Sequence, residues 1–362
     1  MSNASAPVLI MAGGTGGHIF PGLAVADALR ACEIPVLWLG AAGGMETQLV
    51  PARGISLITV PVSGLRGKNV LARLIAPWMV IRALFASLRA LRENPPRSVL
   101  SMGGYVAGPG GIAAWLLRKP LLVHEQNRIP GFTNRVLARF AKRVLAGFPD
   151  AFPARVQAEW TGNPVRAAIA GLAPPPQRFA AREHQRASLL VLGGSLGARA
   201  LNLRLPDALA LIPEAQRPYV LHQCGAAHVE ITRAAYARAQ VDARVEPFIE
   251  DMAQAYADAD LAICRAGALT LAELAAAGLG SILVPFPHAV DDHQTFNAQG
   301  FVQVGAAELV QERDFNASRF AHRLQLLLGD RERLLAMAQA ARKLAKPDAA
   351  AMIAQRCLEV AA

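Results

Sequence analysis

Val8-Leu9-Ile10-Met11-Ala12-Gly13-Gly14-Thr15-Gly16-Gly17-His18-Ile19-Phe20-Pro21 is the stretch from which the rest of the chain is read. A short apolar strand runs into four glycines, a histidine and a helix. Glycine lets the backbone turn sharply and come close to a ligand. The helix that follows offers unpaired N–H groups and the positive end of its dipole, so its natural guest is an anion, most often a phosphate. A glycine-rich strand-to-helix turn can also be a packing device, and the cluster alone leaves both readings open. Two familiar phosphate loops are excluded. No Lys-Ser or Lys-Thr follows the glycines, as a P-loop requires, and Ile19 stands where a dinucleotide fingerprint needs its third glycine. The next apolar segment, Val36-Leu37-Trp38-Leu39-Gly40, carries no acid for a ribose.

A chain of 362 residues is long enough for two domains of about 150 residues, each with its own core. With 53% apolar and 18% charged residues it reads as globular. Cys32, Cys224, Cys264 and Cys357 are scattered and form no CxxC, so neither a disulfide framework nor a zinc site is indicated, as in a reducing cytoplasm. No signal peptide is visible, and no run reaches the roughly 18 apolar residues of a spanning helix. The net charge of +10 is unevenly placed. Residues 1–163 hold 17 Lys+Arg and 7 Asp+Glu, or +10, which leaves 20 minus 20, or zero, for residues 164–362. A basic first half seeks an anionic surface, nucleic acid or acidic lipid. Nucleic acid is disfavoured, because the aromatic residues are not interleaved with the basic ones as a stacking platform.

The opening pattern recurs 180 positions later, at Leu189-Leu190-Val191-Leu192-Gly193-Gly194-Ser195-Leu196-Gly197-Ala198. Each half then carries a second strand-glycine-helix unit, at Val99–Tyr105 and at Leu261–Gly267. Strands alternating with helices, and glycines at the strand ends, predict two doubly wound α/β domains of parallel sheet facing a cleft. The boundary is expected near Gly162-Asn163-Pro164-Val165-Arg166, giving domains 1–163 and 164–344, with a last helix of about 345–362 returning to the first domain.

Val70–Glu93 interleaves Leu74, Trp78, Ile81 and Phe85 with Arg82 and Arg89, and Pro77 is expected to start a helix there. Such a helix can bury its apolar face in a core. Alternatively, it lies on a bilayer with arginines on lipid phosphates. Between Arg66 and Arg97 seven basic residues face one acid, Glu93, which favours the second reading.

Further motifs carry polar chemistry. Met102-Gly103-Gly104-Tyr105 enters a helix and, beside Gly13 to Gly17, would grip a diphosphate. His124-Glu125-Gln126-Asn127 puts four polar residues at a strand end, where sites form, although a buried, satisfied His124 is the plain alternative. Thr270 and Glu273 have capping-box spacing, and Glu273 in a cleft would equally accept both hydroxyls of a ribose. Pro285–Asn297 concentrates His, Asp, Gln and Asn without a recognised metal spacing, and suits a polyhydroxylated ligand. Asp258 and Asp260 read as surface charge.

The ordered set Gly13-Gly14-Thr15-Gly16-Gly17-His18, Gly103-Gly104-Tyr105, His124-Glu125-Gln126-Asn127, Gly162-Asn163-Pro164-Val165-Arg166, Gly193-Gly194-Ser195-Leu196-Gly197-Ala198 and Asp292-His293-Gln294-Thr295-Phe296-Asn297 closely resembles the MurG family over nearly the whole chain. These are the undecaprenyl-diphospho-muramoyl-pentapeptide β-N-acetylglucosaminyltransferases of bacterial cell-wall synthesis. The resemblance implies a GT-B fold, with UDP-N-acetylglucosamine held mainly by the second domain and the lipid-diphosphate acceptor, lipid I, by the first. Carried over by motif, Arg166, Ser195, Ile249, Leu269, Thr270 and Glu273 would line the donor site, together with His293, Gln294 and Asn297. Thr15, Gly16, Gly17 and Asn127 would reach the donor from the first domain. Glu273 would take the ribose, Ser195 and the backbone at Leu269 and Thr270 the diphosphate, and Gln294 the sugar. His293 departs from the glutamine of some members. Gly13, Gly14, Gly103, Gly104, Tyr105, His124 and Asn134 would surround the acceptor.

An α-linked donor and a β-linked product, as the resemblance implies, require a single in-line displacement with a base on the acceptor 4-hydroxyl. His18 is the candidate, since a histidine with its ordinary pKa of about 6.5 accepts a proton at neutral pH. Glu125 is the second candidate. Helix N-termini and Arg166 would stabilise the departing UDP, with no tightly bound cofactor and no metal. The expected location is the cytoplasmic face of the bacterial inner membrane, peripherally bound, with other cell-wall synthesis proteins as further partners. Rival readings are a nucleotide-sugar epimerase of the same fold and a non-catalytic nucleotide-sugar-binding membrane adaptor.

Overall fold

The structure is a computed structural model that describes residues 6–62, 70–194 and 197–361, the side chains of 70–76 and 290 excepted. The chain divides into two compact units, Met1–Val165 with Pro347–Ala362, and Arg166–Lys346. The division falls at Val165 rather than at residue 163. The residues just before the division are tied to the first unit: Asn163 Nδ2 donates to the Gln126 carbonyl at 3.0 Å, and the Gly162 carbonyl accepts from His124 Nε2 at 2.9 Å.

In the first unit β1 (Val8–Ala12), β2 (Val36–Ala41), β3 (Ser56–Val60), β4 (Ser98–Gly103), β5 (Leu121–Glu125), β6 (Arg143–Ala146) and β7 (Glu159–Trp160) form one parallel sheet in the order β3-β2-β1-β4-β5-β6-β7. The second unit repeats the plan with β8 (Ser188–Leu192), β9 (Tyr219–Gln223), β10 (Arg244–Glu246), β11 (Leu261–Cys264), β12 (Ser281–Leu283) and β13 (Ala307–Leu309), ordered β10-β9-β8-β11-β12-β13. In both sheets the strand order reverses beside the strand that opens the unit, between β1 and β4 and between β8 and β11. Ligands of open parallel sheets settle outside the carboxyl ends of the strands at such a point. The two glycine loops of the sequence leave from there.

The opening strands are apolar, β1 throughout and β8 from Leu189 on, because both faces of each are covered. Val8, Ile10 and Ala12 pack with Ile19, Leu23 and Leu29 of the helix Gly16–Ala31, while Leu9 and Met11 pack on the opposite side with Leu91, Val106 and Leu137. The helix Ala349–Glu359 adds Ile353, Ala354 and Cys357 to the first of these layers. Its Arg356 grips Glu159 with Nε and Nη2 at 2.7–3.0 Å, which lowers the Glu159 pKa. In the second unit Leu189 and Val191 pack with Leu201, Leu205, Leu324 and Met337.

Two local expectations are corrected. Pro77 does not start a helix but lies inside the helix Val70–Glu93, at an exposed position where water can take over the hydrogen bond its missing N–H leaves unmade. Asp260 is not surface charge. It is 2% exposed, and its carboxylate accepts from Arg182 Nη2 and from the Ser188 N–H, both at 2.8 Å, fastening β11 to the start of β8. Asp258 is exposed and accepts from Gln254 on its own helix.

Candidate functional site

The loop after β1 is held from below by Glu46, a residue the sequence reading passed over. Its side chain is fully buried; Oε1 accepts from the Ala41 N–H at 2.8 Å and Oε2 from the Gly14 N–H at 3.3 Å. The close approaches that require glycine here are between loops. Gly104 adopts φ +87, and a Cβ there would stand 2.3 Å from the Gly13 carbonyl oxygen; Gly103 adopts φ +99, and its Cβ would press on the His18 ring at 3.0 Å. Tyr105 is exposed and packs over Gly14. Thr15 stands at the N-cap of the helix that Gly16 and Gly17 open, without a capping bond from its side chain.

His18 is half-buried at the mouth of this arrangement, with Nδ1 3.1 Å from Gln126 Oε1. The Gln126 amide nitrogen faces His124 Nδ1 and the His124 carbonyl oxygen, both at 3.2 Å. His124 is wholly buried, and burial lowers its pKa to about 4 against the opposing pull of the Gly162 carbonyl. It is therefore neutral and spent on internal bonds, the plainer of the two readings its sequence allowed. Glu125 is 2% exposed, and both of its oxygens are occupied: Oε1 accepts from the Asn127 N–H (2.9 Å) and Nδ2 (3.3 Å), Oε2 from the Gly131 N–H (3.1 Å) and Asn134 Nδ2 (2.9 Å). Asn134, buried too, also donates to the His124 carbonyl and accepts from Ser101. His124, Glu125 and Asn134 thus form the floor under His18, Gln126 and Asn127.

In the second unit the loop after β8 is clamped by Gln223, at the end of β9. Its Oε1 accepts from the Gly194 N–H and its Nε2 donates to the Gly194 carbonyl, both at 3.0 Å. Ser195, expected on the donor diphosphate, lies outside the described residues. The helix Ala268–Ala277 opens directly after β11, with Gly267 at its N-cap, and puts the half-buried Leu269 and Thr270 in its first turn. The capping-box alternative for Thr270 and Glu273 fails, since Thr270 is already inside the helix and Glu273 is engaged elsewhere. Its Oε1 accepts from Arg166 Nη2 and its Oε2 from the Tyr256 hydroxyl, each at 3.0 Å. Tyr256 is fully buried, and burial followed by the Glu273 charge raises its pKa, so it remains a donor. A one-fifth exposed carboxylate held from two sides keeps lone pairs for a diol.

The segment after β12 is fixed by Arg265, whose Nη1 donates to the Val284 and Pro285 carbonyls at 3.1 Å and whose Nη2 pairs with Glu312. Gln294 Oε1 accepts from the Phe286 N–H at 2.9 Å, the buried Asn297 donates to the Ala266 carbonyl at 3.3 Å, and His293 begins the helix His293–Gln303. Asp291 and Asp292 both take left-handed φ (52 and 50) ahead of it, a strained turn that aims the helix start. Ile249 is buried, beside the exposed Phe248. Among the described residues no group of three or more His, Cys, Asp or Glu is placed to hold a metal ion.

The helix Val70–Glu93 inverts the usual distribution. Ala83, Ser87, Ala90 and Leu91 are buried, while Trp78 (68%), Ile81 (44%) and Phe85 (67%) are exposed along one stripe with Arg82 and Arg89. Arg89 is paired with Glu93 at 2.7 Å. The Leu74 side chain lies outside what is described. No helix among the described residues is long and apolar enough to cross a membrane.

The residues without a role in the sequence reading are Glu46, Gln223, Tyr256 and Arg265, together with Gln126, which it placed in a site motif; all act on partners brought close by the fold. The one available signal was position, since Gln126 and Gln223 each lie at or beside the carboxyl end of a strand.

Comparison with known proteins agrees over the full length. Residues 8–146 match the glycosyltransferase family 28 N-terminal domain, and residues 188–353 its C-terminal domain. A UDP-N-acetylglucosamine--N-acetylmuramyl-(pentapeptide) pyrophosphoryl-undecaprenol N-acetylglucosamine transferase of Marinobacter nauticus is 55% identical over 353 residues, covering 98% of this chain and 97% of its own. The enzyme of the same name from Xylella fastidiosa is 58% identical over 354 residues, covering 98% and 96%. Among solved structures, MurG of Acinetobacter baumannii superposes with a TM-score of 0.81 at 41% identity, covering 98% of this chain and 99% of that one. The calicheamicin glycosyltransferase CalG4, at 15% identity and a TM-score of 0.66, shares the fold. Two doubly wound parallel-sheet units, matched in order and nearly end to end, place this chain in the MurG family of glycosyltransferases.

Proposed function

We propose that the protein transfers N-acetylglucosamine from UDP-N-acetylglucosamine to the 4-hydroxyl of the N-acetylmuramyl-pentapeptide of undecaprenyl-diphosphate-linked lipid I, giving lipid II for peptidoglycan. The observation that carries this reading is identity of 54–58% with transferases of that name over 98% of the chain, spanning both units. Neither an epimerase nor a non-catalytic adaptor accounts for it.

The displacement forms a bond from the acceptor oxygen to the anomeric carbon as the bond to the UDP oxygen breaks. His18 takes the acceptor proton. Glu125, the other candidate, has both oxygens committed to N–H donors and is better suited to hold the loop. Negative charge growing on UDP meets the N-terminus of the helix Ala268–Ala277 and Arg166, while Glu273, fixed by Arg166 and Tyr256, receives the ribose. Gln294, in the first turn of the helix His293–Gln303, takes the sugar, with His293 and Asn297 beside it in the donor site. The exposed stripe of Trp78, Ile81 and Phe85 with Arg82 supports peripheral attachment to an anionic cytoplasmic membrane surface, where the lipid acceptor resides.

The decisive assay supplies donor and lipid acceptor and follows the glycosylated lipid. His18→Ala should lower turnover by about 10²- to 10⁴-fold, as loss of a general base does, while retaining UDP-N-acetylglucosamine binding. Normal turnover in the variant would remove His18 from this role, and release of free UDP without acceptor would favour the epimerase.

A further inference from the structure

A base that receives a proton on one ring nitrogen must carry its own proton on the other, and imidazole alone does not hold that choice firmly. The bonds below His18 settle it. The Gly162 carbonyl can only accept, so His124 Nε2, 2.9 Å away, carries hydrogen. His124 is buried and neutral, so its Nδ1 is an acceptor. The Gln126 side-chain nitrogen donates to that Nδ1 and to the His124 carbonyl oxygen, both at 3.2 Å. Turning the amide over would set its oxygen against two acceptors, an arrangement with no hydrogen between them. Gln126 Oε1 is thereby fixed toward His18 Nδ1, 3.1 Å away, and an amide oxygen only accepts. Gln126 has little room to swing aside, because its backbone is held by Asn163 Nδ2 on the carbonyl at 3.0 Å and the residue is 1% exposed, its side chain enclosed.

We propose that Gln126 is a positioning residue that holds His18 in the tautomer with hydrogen on Nδ1, leaving Nε2 as the atom that takes the acceptor's proton. The chain of command runs from the Gly162 carbonyl through His124 and Gln126 to His18, and every member lies in the first unit. Gln126 is uncharged, so it orients the ring and solvates the imidazolium by its dipole alone. The inference rests on His18 being the base.

Histidine labelled with 15N in both ring positions tests it, because protonated and unprotonated ring nitrogens resonate far apart. The spectrum of His18→Ala identifies the His18 signals among the eight histidines. In the wild-type protein with neutral His18, Nδ1 is expected as the protonated nitrogen and Nε2 as the bare one. Gln126→Met removes the acceptor at similar volume. It should mix the two tautomers and lower kcat about tenfold or more, with KM for UDP-N-acetylglucosamine within about twofold, since Gln126 is not one of the residues assigned to the donor and its side chain is spent on His124 and His18. A wild-type His18 with hydrogen on Nε2 overturns the proposal whether or not the variant folds. So does a folded Gln126→Met that keeps both tautomer and kcat while His18→Ala is inactive. Activity in His18→Ala would instead refute the assignment of the base.

Discussion

At Glu125 four N–H donors converge on one carboxylate, from Asn127, Gly131 and Asn134, and the side chain is 2% exposed. Such a group is a structural anchor for the turn that carries Asn127, and its oxygens are committed before any substrate arrives. Glu125→Gln would turn one oxygen into a donor facing donors. The expected outcome is destabilisation of about 1–3 kcal/mol, the range for a buried hydrogen-bonding group left unmatched, seen as a lower Tm of the first unit. KM for the lipid acceptor should rise with it. A variant with unchanged Tm but kcat down by about 10²- to 10⁴-fold would make Glu125 the base after all. Glu46 and Gln223 illustrate the same scale. Each fixes a glycine loop through an N–H of Gly14 or Gly194, but one is a carboxylate and the other an amide. The roles of Glu46 and Gln223 cannot be read from neighbours in sequence, because Gln223 lies 29 positions from Gly194 and Glu46 lies 32 from Gly14. Spacing rules misled where they competed with such distant partners: Glu273, at capping-box distance from Thr270, bonds Arg166 and Tyr256 instead.

Among the elements, the helix Val70–Glu93 is the one whose packing departs from its sequence pattern. Its alternation of apolar and basic residues fits a core-facing helix as well as a membrane-facing one, and periodicity cannot choose between them. Burial excludes the core-facing reading for the aromatics, since small residues such as Ala83 and Ser87 face inward and Trp78 and Phe85 stand 68% and 67% exposed. Replacing both aromatics by serine removes little from the core and much from the exposed stripe. Flotation of the protein with anionic liposomes should weaken in the double variant at unchanged Tm, with activity on a water-soluble acceptor retained. Undiminished flotation of the folded double variant would place membrane attachment on another surface. The strands were the readily legible elements. A parallel strand covered on both faces is a continuous apolar run ended by glycine, and β1 and β8 each declare themselves that way without reference to the rest of the chain.

Over the whole molecule, the doubled architecture was legible because the repeated motif marks the same topological position twice, while the exact division at Val165 depends on tertiary contacts that sequence does not display. The duplication extends to a feature that neither motif announces: each unit buries one neutral histidine at the centre of a side-chain network. His124 serves the first. In the second, His222 Nε2 lies 3.0 Å from Asn202 Oδ1 and Nδ1 lies 2.9 Å from the Tyr236 hydroxyl. Burial lowers their pKa values to about 4 and about 3. In the unfolded chain both return to about 6.5. A depressed histidine contributes its full stability above the unfolded value, where neither state is protonated. As pH falls below 6.5 the unfolded chain takes up protons that the folded chain refuses, and the contribution declines until the folded pKa is reached. Each histidine should then cost about 1.4 kcal/mol per pH unit between roughly pH 6 and 5, above the range where most carboxylates titrate. Urea unfolding over that window should give a falling stability for both units, and His222→Gln should flatten the slope of the second unit while leaving that of the first. A flat profile in the wild-type protein, or an unchanged slope in the variant, would show that these histidines are protonated without penalty and that their networks do not anchor the two units.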